Sequence, residues 1–182
     1  TSNGTLANAG MTAGTYSANM SAMTSVDRSV ATAAPSTTTT GLLQAGTLRI
    51  NGTSIVAAST ADDAASADTN AAGTAITSST KAASAIAIAA AINKASATTG
   101  VTATASANVI TGTSFTAVAG TGKNLSLNGV TISLATLTTS STRSDVATLI
   151  NSKTGETGVV AVDNGKGLTL TAADGRTISI GS

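Results

Sequence analysis

The stretch Leu125-Ser126-Leu127-Asn128-Gly129-Val130-Thr131-Ile132 decides the fold. Leu125 and Leu127 alternate with polar residues, as do Val130, Ile132 and Leu134 after them. Alternation of this kind places every second side chain on one face, the pattern of a half-buried strand. Between the two runs stands Asn128-Gly129. A type I′ turn needs positive φ at both central residues, which Asn and Gly tolerate best, so the stretch predicts a tight hairpin. The same pattern occurs earlier as Leu48-Arg49-Ile50-Asn51-Gly52-Thr53-Ser54-Ile55.

The repetition extends beyond the hairpin. Ile92-Asn93, Thr99-Gly100-Val101 and Ala103 recur as Ile150-Asn151, Thr157-Gly158-Val159 and Ala161. The hairpins lie 77 residues apart (48 to 125) and the later matches 58 apart (92 to 150), so copy 1 holds 19 additional residues. The place for them is about 57–75, where Asp62, Asp63 and Asp68 stand among Ala, Ser, Thr and Gly; a solvated loop is expected there.

Between hairpin and Ile-Asn pair each copy predicts a helix. Thr142-Arg143-Ser144-Asp145 has the spacing of a capping box, with Asp in place of Glu. Val146, Leu149 and Ile150 supply the apolar stripe of a short helix lying on a sheet. In copy 1 the stripe is Ala85, Ile88, Ala89 and Ile92, on a more alanine-rich and longer helix. Gly155 and Gly158, and Gly100 in copy 1, are expected to end the helices. A meander follows in copy 2, with strands at 159–162, 168–171 and 177–180 and turns at 163–167 and Asp174-Gly175. Copy 1 is looser, with strands at 101–105, 109–111 and 115–118.

The fold class is therefore α+β: two tandem small units, each an antiparallel β-sheet (Asn-Gly hairpin plus meander) with one covering helix. The expected organisation is an extended N-terminal segment and Pro/Ser/Thr linker over 1–46, copy 1 over 47–118 with its insertion at 57–75, and copy 2 over 119–182. Within 1–46, Pro35-Ser36 and the four threonines after it have linker composition, and 14–20 is expected to form a strand.

Composition narrows the function classes. Apolar residues make up 41% of the chain but aromatics only 1%, Tyr16 and Phe115, so cores must be thin and built from small side chains. Nine Lys and Arg face eight Asp and Glu, and no two basic residues are adjacent, unlike the clustered basic face of a nucleic-acid binder. With no cysteine, disulfide staples and thiolate metal sites are excluded. The longest apolar run, 82–92, is far shorter than the roughly 20 residues of a membrane helix. No charged stretch followed by an apolar one opens the chain, so no Sec-type signal is visible. A chain opening on Thr1 is expected to be part of something longer, with any export signal outside it.

Catalysis is not expected. Neither His nor Cys is available as base or nucleophile, and the many hydroxyls have only carboxylates or lysines to activate them. Gly120-Thr121-Gly122-Lys123 resembles the end of a phosphate loop, but that pattern needs Gly and Ser/Thr where Ala117 and Asn124 stand. Asp62, Asp63 and Asp68 could face a cation, yet their spacing fits no calcium loop, and a solvated acidic loop is the preferred reading. The segment 163–167 has one carboxylate and reads as a turn. The sequons at Asn3, Asn19, Asn51 and Asn124 are those expected by chance in so Ser/Thr-rich a chain. No catalytic, cofactor-binding or metal residue is assigned, and no cofactor.

The bundle L-x-I-N-G-x-x-I, a short helix ending in Ile-Asn, then T-G-V-x-A and L-x-L-x-x-x-x-G-x-x-I-x-I resembles the flagellin hook IN motif. Copy 2 carries it over about 125–180, copy 1 at 48–55 and 92–103, together about two thirds of the chain. The resemblance implies the variable outer domain of a bacterial flagellin: a non-enzymatic, surface-exposed module of the extracellular flagellar filament that sets its surface properties and lateral contacts. It further implies that polymerisation with other flagellin subunits runs through terminal regions not in this sequence, and that surface Ser/Thr can carry O-glycans. An isolated fragment is then expected to be a monomer, without nucleic-acid or membrane partners. Two alternatives stand beside it: the outer domain of the filament cap protein, which also carries IN motifs, and a glycan- or host-binding adhesin domain.

Overall fold

The computed structural model describes residues 42–68 and 81–181, together with the backbone of a strand at Thr24–Val26. The fold is α+β, with small sheets and short helices. In chain order the strands are β1 (Thr24–Val26), β2 (Arg49–Ile50), β3 (Thr53–Ser54), β4 (Asn108–Thr111), β5 (Asn124–Leu127), β6 (Val130–Ser133), β7 (Val160–Asp163), β8 (Leu168–Ala172) and β9 (Ile178–Gly181). The helices are α1 (Ala85–Asn93), α2 (Ser96–Thr99), α3 (Arg143–Asn151) and α4 (Thr154–Thr157).

Both Asn-Gly hairpins form, and their turn residues share the same φ angles. Asn51 and Asn128 each have φ 48°, and Gly52 and Gly129 each have φ 79°. Strand β5 pairs antiparallel with β6 so that Leu125 faces Ile132 and Leu127 faces Val130. The alternation works as the sequence implies: Leu127 and Ile132 are buried, while Thr131 and Ser133 are exposed. In copy 1 the ladder is only two pairs long, Arg49 with Ser54 and Ile50 with Thr53.

Each hairpin is followed by a long and a short helix. The long ones, α1 and α3, have nine residues each, so the copy 1 helix is not the longer. Lys94 ends α1 as a C-cap, just as Ser152 ends α3. The short helices α2 and α4 then close on Gly100 (φ 70°) and Gly158 (φ 69°), whereas Gly155 lies inside α4 and stops nothing. The capping box of α3 is complete: the Asp145 amide donates to Thr142 Oγ1 at 3.3 Å, and the Thr142 amide donates to Asp145 Oδ2 at 2.7 Å. The Thr142 amide, together with the Thr142 hydroxyl that donates to the same Oδ2 at 2.9 Å, holds the Asp145 carboxyl below its ordinary pKa.

The expected meander of copy 2 is corrected. Strand β7 pairs with β8, but β9 leaves them and pairs with β5, beside the hairpin. The place of a third strand beside β8 is taken by β4 from copy 1. The two copies thus share a sheet in the order β4-β8-β7, and Ile110 of β4 packs on the copy 2 core. That core gathers Leu127, Ile132, Ala147, Ile150, Val159, Ala161, Leu170, Ala172 and Ile178. Among its described residues copy 1 buries Ile55, Ala83, Ala87, Ile88, Ala89 and Ala91, a set dominated by alanine.

Two further expectations of strands are revised. Neither 101–105 nor 115–118 forms one; β4 pairs with β8 instead of folding back on 101–105. The segment 105–106 lies instead against the Asp174-Gly175 turn, where a Cβ on Gly175 would meet Ala105 Cβ and Ser106 O at 2.7 Å. The strand expected at 14–20 and the Pro/Ser/Thr linker lie outside the described residues. The extended N-terminal segment does contribute β1, which pairs parallel with β9 at Thr24–Ile178, Ser25–Ser179 and Val26–Ile180.

The insertion is not simply a solvated loop over its described part, 57–68. A short 3-10 turn at Thr60–Asp62 packs against α1, and Asp63 and Ser66 are buried. Ser66 Oγ accepts from the Thr177 amide at 2.9 Å, joining the insertion to the last turn of copy 2. Residues 69–75 of the insertion lie outside the described residues.

Candidate functional site

The features shared by both copies are four asparagine side chains that fasten one element to the next. Asn51 Nδ2 donates to Thr99 O and Asn128 Nδ2 to Thr157 O, both at 2.8 Å. Each turn asparagine therefore ties its hairpin to the C-terminal end of the short helix, where carbonyls lack helical partners. The second pair acts one step later. Asn93 Nδ2 donates to Ala103 O at 2.8 Å while Oδ1 accepts from the Ala103 amide at 2.7 Å. Asn151 does the same to Ala161, with the same two distances. A side-chain amide has one donor end and one acceptor end, so it can stand in for a neighbouring strand and satisfy both backbone groups of one residue. Thr99 and Thr157 add matching bonds, their hydroxyls accepting from the Val101 and Val159 amides at 3.2 Å.

Copy 2 has the fuller clamp. Asn128 is buried, donates its own amide to Ser179 O, and takes the Ser179 amide on Oδ1, all near 2.8 Å. Among the described residues no strand lies beside β2 to do for Asn51 what β9 does for Asn128.

The sequence pointed to the right residues for a narrower reason. Asn51 and Asn128 were turn formers and Asn93 and Asn151 helix ends, and their side-chain bonds were missed. The signal was the fixed spacing of Asn to the T-G-V-x-A string in both copies.

The other candidates dissolve into structure. Gly120 is buried, and a Cβ there would fall 1.8 Å from Leu134 O. Its amide donates to Leu137 O and its carbonyl accepts from the Lys123 amide, each at 2.9 Å. The phosphate-loop-like segment is thus a turn sealed against 134–137 that feeds β5. The three insertion aspartates do not converge, and among the described residues no group of acidic side chains is placed to hold a metal ion. Asp62 pairs with Lys94 at 2.6 Å, and Asp68 lies 3.9 Å from Lys81.

Asp63 is the buried one. Its Oδ1 accepts from the amides of Ala65 (2.9 Å) and Ser66 (2.8 Å), whereas Oδ2 is enclosed without a bond of good geometry. Burial pushes this carboxyl up, but the Ser84 hydroxyl, the Ser66 amide and hydroxyl and the Ala65 amide together outweigh it and hold the pKa below the ordinary value. The two hydroxyls act as nearby dipoles, since neither closes a bond to Oδ2. Asp63 locks the insertion in place as an anion.

Arg143–Asp163, Lys153–Glu156 and Arg176–Asp174 complete a set of surface ion pairs at 2.6–2.7 Å. Among the described residues, pairing of this kind leaves Arg49, Lys123 and Lys166 as scattered positive charges, not a basic stripe.

One face of the shared sheet is uncharged and exposed. Val109, Thr171 and Val160 lie in register across β4, β8 and β7, and Thr111, Thr169 and Val162 form the next row. Val109, Val160 and Val162 keep 52%, 44% and 57% of their surface in water, so this face has no partner among the described residues. No helix of the described residues is long and apolar enough to cross a membrane. No protein-family model, curated protein or solved structure matches the chain.

Proposed function

We propose that the chain is the outer domain of a bacterial flagellin, a structural and recognition module carried on the surface of the extracellular filament. The observation that supports this reading is the doubled clamp. The residues that carry the resemblance to the hook IN motif, Asn51-Gly52 with Asn93 and Asn128-Gly129 with Asn151, hold the same elements in both copies. The motif thus operates as a building instruction for a stackable unit. A module of this kind needs no catalytic group. Its outward Val/Thr rows and Ser/Thr-rich loops supply lateral contacts and hydroxyls for O-glycans, while polymerisation with other flagellin subunits belongs to regions outside this sequence.

The test is deletion of this module from the complete subunit in cells lacking the native one. Filaments seen by electron microscopy, with altered surface recognition, are the expected result. Normal export of the truncated subunit without filaments would overturn the reading.

A further inference from the structure

We infer that Asn51 is a site of spontaneous covalent modification, an intramolecular deamidation from which its structural twin Asn128 is protected. The reaction needs only water. The Gly52 nitrogen, once deprotonated, attacks Asn51 Cγ; the Cγ–Nδ2 bond breaks, and ammonia leaves with the proton it gains. Water then opens the five-membered imide at either carbonyl, giving aspartate or isoaspartate at position 51. Glycine as the next residue leaves the attacking nitrogen unshielded, and three described Asn-Gly pairs share this feature: Asn51-Gly52, Asn128-Gly129 and Asn164-Gly165.

Their surroundings separate them. Asn128 is buried with both amide atoms engaged, by Thr157 O and the Ser179 amide, inside a four-stranded sheet. Asn164 is exposed but held four times, donating to Gly112 O and Thr169 Oγ1 and accepting from the Lys166 and Gly167 amides at 2.7–3.1 Å. Asn51 is exposed, and among the described residues its side chain makes one bond, to Thr99 O. Ring closure requires the backbone to swing out of the type I′ geometry, so its rate follows the population of the opened turn. Local opening ranges from nearly free at exposed, sparsely bonded sites to the full cost of unfolding in the core. The tip of the hairpin β2–β3, whose ladder is two pairs long and continued only by the Ile55 amide to Leu48 O, has no neighbouring strand among the described residues and so stands nearer the first extreme than either other site.

Charge acts in the same direction. Arg49 Nη2 donates to Gly52 O at 2.6 Å, so a guanidinium sits on the turn itself. A positive charge there favours both the deprotonated Gly52 nitrogen and the oxyanion formed at Cγ. The equivalent position in copy 2 is Ser126, which is neutral. The product also differs from the reactant in its contacts. A carboxylate at 51 has no N–H for Thr99 O and repels it, so modification unfastens the copy 1 hairpin from α2 while copy 2 stays intact.

The test follows the intact chain in mildly alkaline buffer by fragment-resolved mass spectrometry of Asn51, Asn128 and Asn164, with a urea-unfolded sample beside it. Folded chain should convert Asn51 at least about tenfold faster than either other site, equivalent to about 1.4 kcal/mol in opening free energy. In urea the three should converge. Arg49→Ser should slow Asn51 in the folded chain, and Arg49→Lys, which keeps the charge, should slow it less. Equal rates at the three sites when folded, or conversion of Asn51 in urea alone, would overturn the site. An Arg49→Ser rate unchanged or increased would overturn the role of the guanidinium.

Discussion

Replacing Asn128 by Gly isolates the side-chain clamp, because Gly keeps the positive φ of 48° that the turn requires. Two bonds disappear: the Thr157 carbonyl loses its donor and the Ser179 amide loses the Asn128 acceptor, both in buried surroundings. A hydrogen bond contributes about 1 kcal/mol net, and a buried polar group deprived of its partner costs about 1–3 kcal/mol. The expected loss is therefore about 2–4 kcal/mol. Asn51→Gly removes one bond at an exposed site where water substitutes, and should lose less than about 1 kcal/mol. Asn128→Ala should fall below Asn128→Gly by a further ~1–2 kcal/mol, the cost of left-handed backbone for a residue with a Cβ. With no Trp and a single Tyr in the chain, the suitable assay is urea unfolding followed by far-ultraviolet circular dichroism. At a slope of about 2 kcal/mol per molar urea, the Asn128→Gly midpoint should move down by about 1–2 M with the slope unchanged. Equal shifts for Asn51→Gly and Asn128→Gly would refute the argument that burial and the second bond make copy 2 the stronger clamp.

Ile150→Ala, at a core position only 3% exposed, should cost about 2–5 kcal/mol, while Val162→Thr on the open sheet face should stay within about 0.5 kcal/mol by the same urea assay. The acid side of the stability profile should carry the signature of Asp63: its folded pKa lies below the ordinary 3.8, so its contribution is complete above that value and lost as pH falls through the lower folded one. Thermal midpoints should then be level down to about pH 5 and decline below about pH 4, less steeply in Asp63→Asn; an Asp63→Asn profile parallel to wild type would remove Asp63 from that role. The isolated chain should sediment as a monomer at all accessible concentrations, and stable fibres from it would contradict the assignment of polymerisation to other regions.

The local elements were legible because each depends on neighbouring residues. Asn128-Gly129 fixes its turn through φ alone, and Thr142 with Asp145 caps α3 through atoms three residues apart. The sheet order was not legible in the same way. Nothing within 159–180 says that β9 will leave β8 for β5, since that choice is settled by β4 arriving from copy 1 to take the vacant edge. The insertion misled for a related reason: three aspartates among small polar residues have the composition of a loop, and only the distant Thr177 amide and the Ser84 hydroxyl reveal that Asp63 and Ser66 are packed. In the candidate site, residue identity was readable and partnership was not, because each asparagine bonds backbone 10 to 51 residues away.

The most direct measurement of the central proposal is immunogold electron microscopy with antibody raised against this chain, applied to intact cells that carry the complete protein. An outer domain of the filament subunit should be labelled along the whole length of each filament, and the label should vanish when the module is deleted. Gold confined to filament tips would assign the module to the cap instead, and gold on the cell body with bare filaments would contradict the filament account and favour an adhesin.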